Sequence, residues 1–142
     1  MHFEDVGFEL IENFISEEQV NYLVTVLATQ KLKPLKGGIR HIEQIVPEID
    51  VFAKSALLLT LAEKYLKAAP FLVRAIYFEK YAENNWYVTW HQDKTVTVSQ
   101  RFDDPTWGPW SQKSGTWHVQ APLEVLEKMI TIRELRGLSL SN

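Results

Sequence analysis

The stretch Trp90-His91-Gln92-Asp93-Lys94-Thr95-Val96-Thr97-Val98 decides how this chain is read. Across residues 94–101 the side chains alternate, with Thr95, Thr97 and Ser99 on one face and Val96 and Val98 on the other. A period of two marks a half-buried β-strand. In an extended backbone residues i and i+2 share a face, so His91 and Asp93 aim an imidazole and a carboxylate at one point. Those two groups are two thirds of a facial 2-His-1-carboxylate iron site. The same spacing also suits a strand-edge His and Asp that hydrogen-bond to each other, and tight metal binding needs a third protein ligand.

The remaining histidines are His2, His41 and His118. His2 lies at a terminus that frays. His41 follows a glycine-containing loop and is expected at the surface. His118, in Trp117-His118-Val119-Gln120, is expected to pack or hydrogen-bond, with recruitment as a third metal ligand as the lesser alternative.

The chain has 142 residues, enough for one domain with its own core. Hydrophobic residues make up 46% and aromatics 12%, which argues for a globular protein over a disordered one. A net charge of −3 gives no bulk attraction to nucleic acid or anionic membranes. The absence of cysteine removes disulfides, zinc–thiolate sites, iron–sulfur clusters and cysteine nucleophiles, and fits a reducing compartment. Residues 1–5 lack the basic and apolar regions of a signal peptide. The most apolar run, residues 56–61, is too short to span a bilayer. A soluble cytoplasmic protein is expected.

Residues 7–11 read as a short strand with Phe8 and Leu10 on one face. Ser16 and Gln19 fit a capping box, with Glu17 and Glu18 at the positive end of the helix dipole. Val20, Leu23, Val24 and Leu27 then follow at amphipathic helical spacing. Residues 31–40 hold Pro34, Gly37 and Gly38 and form a loop, whose Lys31, Lys33, Lys36 and Arg40 read as solvated charges before they read as a phosphate site. A second helical region spans residues 48–68, with Leu57, Leu58, Leu61 and Tyr65 as its buried stripe and Ala69-Pro70 as its end. Residues 71–81 are aromatic and branched, the composition of a strand, and residues 82–87 are a polar connection. Residues 102–114 form a long loop pinned by Trp107 and Trp110, and residues 127–134 form another strand. Helices first and strands second point to an α+β domain whose sheet follows a helical cap.

Other catalytic classes find little support. Lys36-Gly37-Gly38 lacks a P-loop ending, and no Gly-x-Ser-x-Gly elbow occurs. Asp103-Asp104 precedes Pro105 and reads as turn initiation. The five tryptophans have no basic stripe beside them, so burial explains them better than base stacking.

In order, the chain carries Gly7-Phe8-Glu9-Leu10-Ile11-Glu12-Asn13-Phe14-Ile15-Ser16, Val73-Arg74-Ala75-Ile76-Tyr77-Phe78-Glu79-Lys80, Asn85-Trp86 and Trp90-His91-Gln92-Asp93. Gly108-Pro109-Trp110, His118-Val119-Gln120-Ala121-Pro122, Leu126-Glu127 and Ile130-Thr131-Ile132-Arg133 follow. This succession resembles the phytanoyl-CoA dioxygenase family of iron(II)/2-oxoglutarate-dependent oxygenases, particularly its bacterial members, nearly to Arg133. The resemblance implies a double-stranded β-helix, the jelly-roll of cupin-like proteins. It implies Fe(II) and 2-oxoglutarate as cofactors, a small-molecule substrate, and no nucleic-acid or membrane partner. His91 and Asp93 carry over as catalytic metal ligands, and Ile76 and Arg133 as residues lining the 2-oxoglutarate pocket. The family's later His ligand and its later Arg, which binds the distal carboxylate of 2-oxoglutarate, have no counterpart in Glu134-Leu135-Arg136-Gly137-Leu138-Ser139-Leu140-Ser141-Asn142.

The resemblance therefore implies one truncated domain: a helical cap over residues 1–69, a partial β-core over 70–134 and an atypical tail over 135–142. Such a chain is expected to bind iron weakly and to be inactive or nearly so alone. Its unpaired strand edges open a route to homo-oligomers. The alternative is a non-catalytic remnant or interaction domain that self-associates through those edges.

Overall fold

The computed structural model describes residues 3–33, 38–79, 93–113 and 115–132. The loop segment 34–37, the connection 82–87 and the tail 135–142 lie outside the described residues, as does His2.

The helical part opens with α1 (Phe3–Val6) and α2 (Glu17–Thr29). The expected capping box is present: Ser16 Oγ accepts from Gln19 N at 3.2 Å, and Gln19 Oε1 accepts from Ser16 N at 3.4 Å. Each bond satisfies a backbone donor that the first helical turn leaves open. The apolar stripe of α2 is only half-buried, and Val24 is 41% exposed. Residues 7–11 do not form the expected strand. Instead, Tyr65 donates a hydrogen bond to Glu9, and the Phe3 ring lies 4.6 Å from the Tyr65 ring. Side chains tether this segment in place of a backbone ladder.

The expected long helix over residues 48–68 is two helices, α3 (Pro47–Ala53) and α4 (Ala56–Leu66). Pro47 starts α3, where its missing N–H costs nothing. Ser55 interrupts the run because its extended backbone and hydroxyl cap α4, accepting from Leu58 N. The α4 helix closes at Lys67 in a left-handed conformation (φ 53), before Ala69-Pro70.

Two antiparallel sheets carry the rest. In the smaller, β1 (Ile39–Arg40) pairs with β2 (Ile76–Tyr77), Ile39 facing Tyr77 and Arg40 facing Ile76. Of the described part of the expected strand over 71–81, only these two residues find a ladder partner. Gly38, buried at φ +78, lets the chain enter β1, since a Cβ there would sit 2.6 Å from Phe78 Cδ1 and 2.8 Å from the Tyr77 carbonyl oxygen. A 3-10 turn (Ile42–Gln44) follows β1, and Ile42 and Val46 are buried at 2% and 0% exposure.

The larger sheet has the order β3-β5-β4: β3 (Thr95–Val98), β4 (Trp110–Lys113) and β5 (Thr116–Gln120). Val96 faces Val119, and Trp110 faces Val119 from the other side. Val96, Val119 and Ala121 form a buried cluster that Val98, Trp107, Trp110, Val125, Leu126 and Met129 cover. The Phe102 ring meets those of Trp107 and Trp110 edge-on at 5.0 Å each, so the two tryptophans do pin the loop. That loop ends earlier than expected, because residues 110–113 form one arm of the β4–β5 hairpin. The described part of residues 127–134 is not a strand. The short α5 (Leu123–Leu126) runs into a turn in which Met129 N bonds the Leu126 carbonyl, bringing Met129 onto the core.

The fold is α+β, and β1 ties the helical half to the strand-rich half. Among the described residues no helix is long and apolar enough to cross a membrane.

Candidate functional site

Asp93 lies two residues before β3 and is exposed. His91 and Arg133 lie outside the described residues. Ile76, on β2, is half-buried and backbone-paired with Arg40. Among the described residues no three His, Asp or Glu side chains gather as a metal cage.

The structure instead organises a polar cluster around Arg74, which neither composition nor spacing singled out. One guanidinium nitrogen, Nη1, donates to Thr97 Oγ1 on β3 at 2.9 Å and to His118 Nδ1 on β5 at 3.3 Å. Arg74 thereby joins the segment leading into β2 to two strands of the larger sheet, β3 and β5. Burial first, then the Arg40 guanidinium, lowers the Arg74 pKa, while the Asp93 carboxylate acts in the opposite sense. Asp93 is thus within electrostatic reach of Arg74.

His118 is 2% exposed, in line with the expectation that it packs and hydrogen-bonds. Arginine can only donate, so Nδ1 is the acceptor and a neutral His118 carries its proton on Nε2. That Nε2 atom is buried with no hydrogen-bond partner among the described residues. A metal ligand at Nε2 would need a lone pair where this tautomer presents N–H, so the Arg74 bond opposes recruitment of His118 as a third ligand. Burial, then the charges of Arg74, Lys113, Arg40 and His41, lower its pKa. The imidazole is therefore held neutral in a positive environment.

His41 is more enclosed than its expected surface position, with a side chain 18% exposed. Its backbone adopts φ 56, a left-handed conformation uncommon for a residue with a side chain. Its Nδ1 meets Glu43 Oε1 at 2.9 Å, and Glu43 Oε2 accepts from Ala75 N at 2.9 Å. Glu43 therefore clamps the 3-10 turn onto the chain entering β2. The His41 Nε2 atom is also buried without a partner among the described residues. Each unsatisfied buried polar atom costs about 1–3 kcal/mol, so two near one another mark a site that the fold maintains at a cost.

His41 and His118 both line a cavity of about 190 Å³, together with Arg40, Gln44, Ile45, Lys113 and Thr116. The cavity lies between the β1 turn on one side and the β4–β5 hairpin on the other. Its lining includes two fixed cations and no carboxylate. The sequence signal for Arg74 was a single charge inside the apolar run 71–78, which its half-burial and a buried partner explain.

No family model, curated protein or solved structure matches this chain.

Proposed function

We propose that this chain carries the metal-binding strand of an iron(II)/2-oxoglutarate-dependent oxygenase of the phytanoyl-CoA dioxygenase type, on part of a jelly-roll core. The observation that carries the reading is that His91-Gln92-Asp93 shortly precedes, in the sequence, β3, a strand paired over four residues with β5. Asp93, an exposed carboxylate at the strand's approach, suits one ligand position. His91 and Asp93 would hold the iron, with Ile76 and Arg133 near the 2-oxoglutarate. Iron and 2-oxoglutarate together supply oxidative decarboxylation to succinate, coupled to hydroxylation of a C–H bond in a small-molecule substrate. Arg74, anchored by Thr97 and His118, supplies a positive charge whose field reaches the Asp93 carboxylate.

The test is anaerobic titration with Fe(II) and 2-oxoglutarate, followed by succinate measurement in air with ascorbate. A weak charge-transfer band and trace succinate that both vanish in His91→Ala and Asp93→Ala are expected. Equal iron binding by the parent chain and both variants would sink the reading. Robust turnover lost in His91→Ala would show that a third ligand is supplied.

A second reading, a non-catalytic domain that self-associates, is favoured by one observation. Among the described residues Leu10, Val51 and Phe71 are 79%, 72% and 81% exposed. Analytical ultracentrifugation separates the two: a defined dimer without iron binding supports self-association, and a monomer removes it.

A further inference from the structure

Four features converge on the cavity between the β1 turn and the β4–β5 hairpin. Arg40 and Lys113 bring permanent positive charge to it from opposite walls. No acidic side chain lines it, and the nearby Glu43 is already bonded to His41 and to the Ala75 N–H. His118, 2% exposed, keeps an N–H on Nε2 with no acceptor among the described residues, because Arg74 occupies Nδ1 as donor. Thr116 adds a hydroxyl to the wall. Two cations and a buried N–H, with no carboxylate in the lining, are what a negatively charged oxygen ligand would complete.

We propose that this cavity binds a small oxyanion, a carboxylate or a phosphate, through Arg40, Lys113 and the His118 Nε2–H. The volume of about 190 Å³ is below that of drug-sized pockets and suits a ligand of a few heavy atoms. Charge-assisted bonds from Arg40 and Lys113 supply the attraction, and the buried His118 N–H fixes the orientation. Arg74 acts at one remove: by donating to Nδ1 it holds the His118 tautomer that presents the N–H, so it is a positioning residue. The His41 ring donates to Glu43 through Nδ1, so its Nε2 offers a lone pair that a protonated oxygen of the anion would meet. None of this involves His91, Asp93 or iron.

The test uses the whole 142-residue chain in the presence of a chelator, so its outcome is independent of the iron site. Imidazole ¹H–¹⁵N correlations of His118 and His41 are followed while sodium acetate or inorganic phosphate is added at constant ionic strength. Saturable shifts at both histidines are expected with one anion or both, and the tighter anion names the ligand class. Arg40→Gln/Lys113→Gln should weaken binding at least about tenfold, while Lys64→Gln on α4 should leave it unchanged. Lys113→Gln alone replaces an exposed side chain and serves if the double variant unfolds. Absence of a saturable shift with either anion overturns the proposal. So does equal affinity in the parent chain and Lys113→Gln.

Discussion

Replacing Arg74 by methionine keeps the length of the side chain and removes the guanidinium that bridges three segments. The variant loses the 2.9 Å bond to Thr97 and the 3.3 Å bond to His118. A hydrogen bond from a charged donor contributes roughly 1.5–3 kcal/mol, and the longer bond less. His118 then has both ring nitrogens without partners, at a further cost of about 1–3 kcal/mol. Against this, the half-buried guanidinium no longer has to be desolvated, and its repulsion from Arg40 disappears. With the offset taken as about 1–2 kcal/mol, a net loss of roughly 2–3 kcal/mol results. Urea denaturation followed by tryptophan fluorescence measures it. The second expectation is independent of stability. The Arg74 charge is the largest influence after burial that lowers the His118 pKa, so Arg74→Met should raise it, visible by NMR titration. A stability change below about 0.5 kcal/mol, or an unmoved His118, would refute the bridging role.

Gly38→Ala should cost about 2–4 kcal/mol, because a Cβ at φ +78 would overlap the Phe78 ring and the Tyr77 carbonyl. Unchanged thermal stability would mean that β1 does not enter as described. The lowered His118 pKa makes stability pH-dependent in a definite sense. Above the unfolded histidine value of about 6.5 both states are neutral there and the contribution is complete. As pH falls from that value toward the folded pKa, the unfolded chain binds a proton that the native state refuses, and stability drops. His118→Gln should flatten this part of the urea-midpoint profile, and a parallel profile would contradict the assignment. Ser16→Ala should weaken α2 by about 1 kcal/mol, read from circular-dichroism melts, with no loss if Gln19 N finds another acceptor.

What could be read from the sequence was what local chemistry determines. The Ser16–Gln19 capping box is set within a few residues and forms as expected, while the alternation expected over 94–101 yields a strand only over Thr95–Val98, because the chain bends at Ser99. Ser55 shows the limit: the apolar run on either side hides a helix start that only its extended backbone reveals. Residues 71–79 have strand composition, but a strand also needs a partner, and only Ile76 and Tyr77 meet one. The β4–β5 hairpin was obscured by the turn residues Asp103, Asp104, Pro105 and Gly108 before it, although Ser114-Gly115 is itself a turn signal. The Arg74 cluster joins residues 23 and 44 positions apart, a separation at which no periodicity speaks. His41 read as a surface residue because its enclosure depends on Glu43 reaching Ala75 across the β1–β2 pair.

The strand β4 presents polar side chains at the edge of the larger sheet. Among the described residues β4 is an outer strand of its sheet, and Ser111, Gln112 and Lys113 are all exposed on it. A strand adding there would have to strip water from the Lys113 ammonium, a common guard against runaway pairing. Lys113 would then stand watch over solubility as well as lining the cavity behind it. Were copies to associate, exposed side chains such as Phe71 and Leu10 would offer the apolar surface, a bounded patch and not a template for an extending fibril.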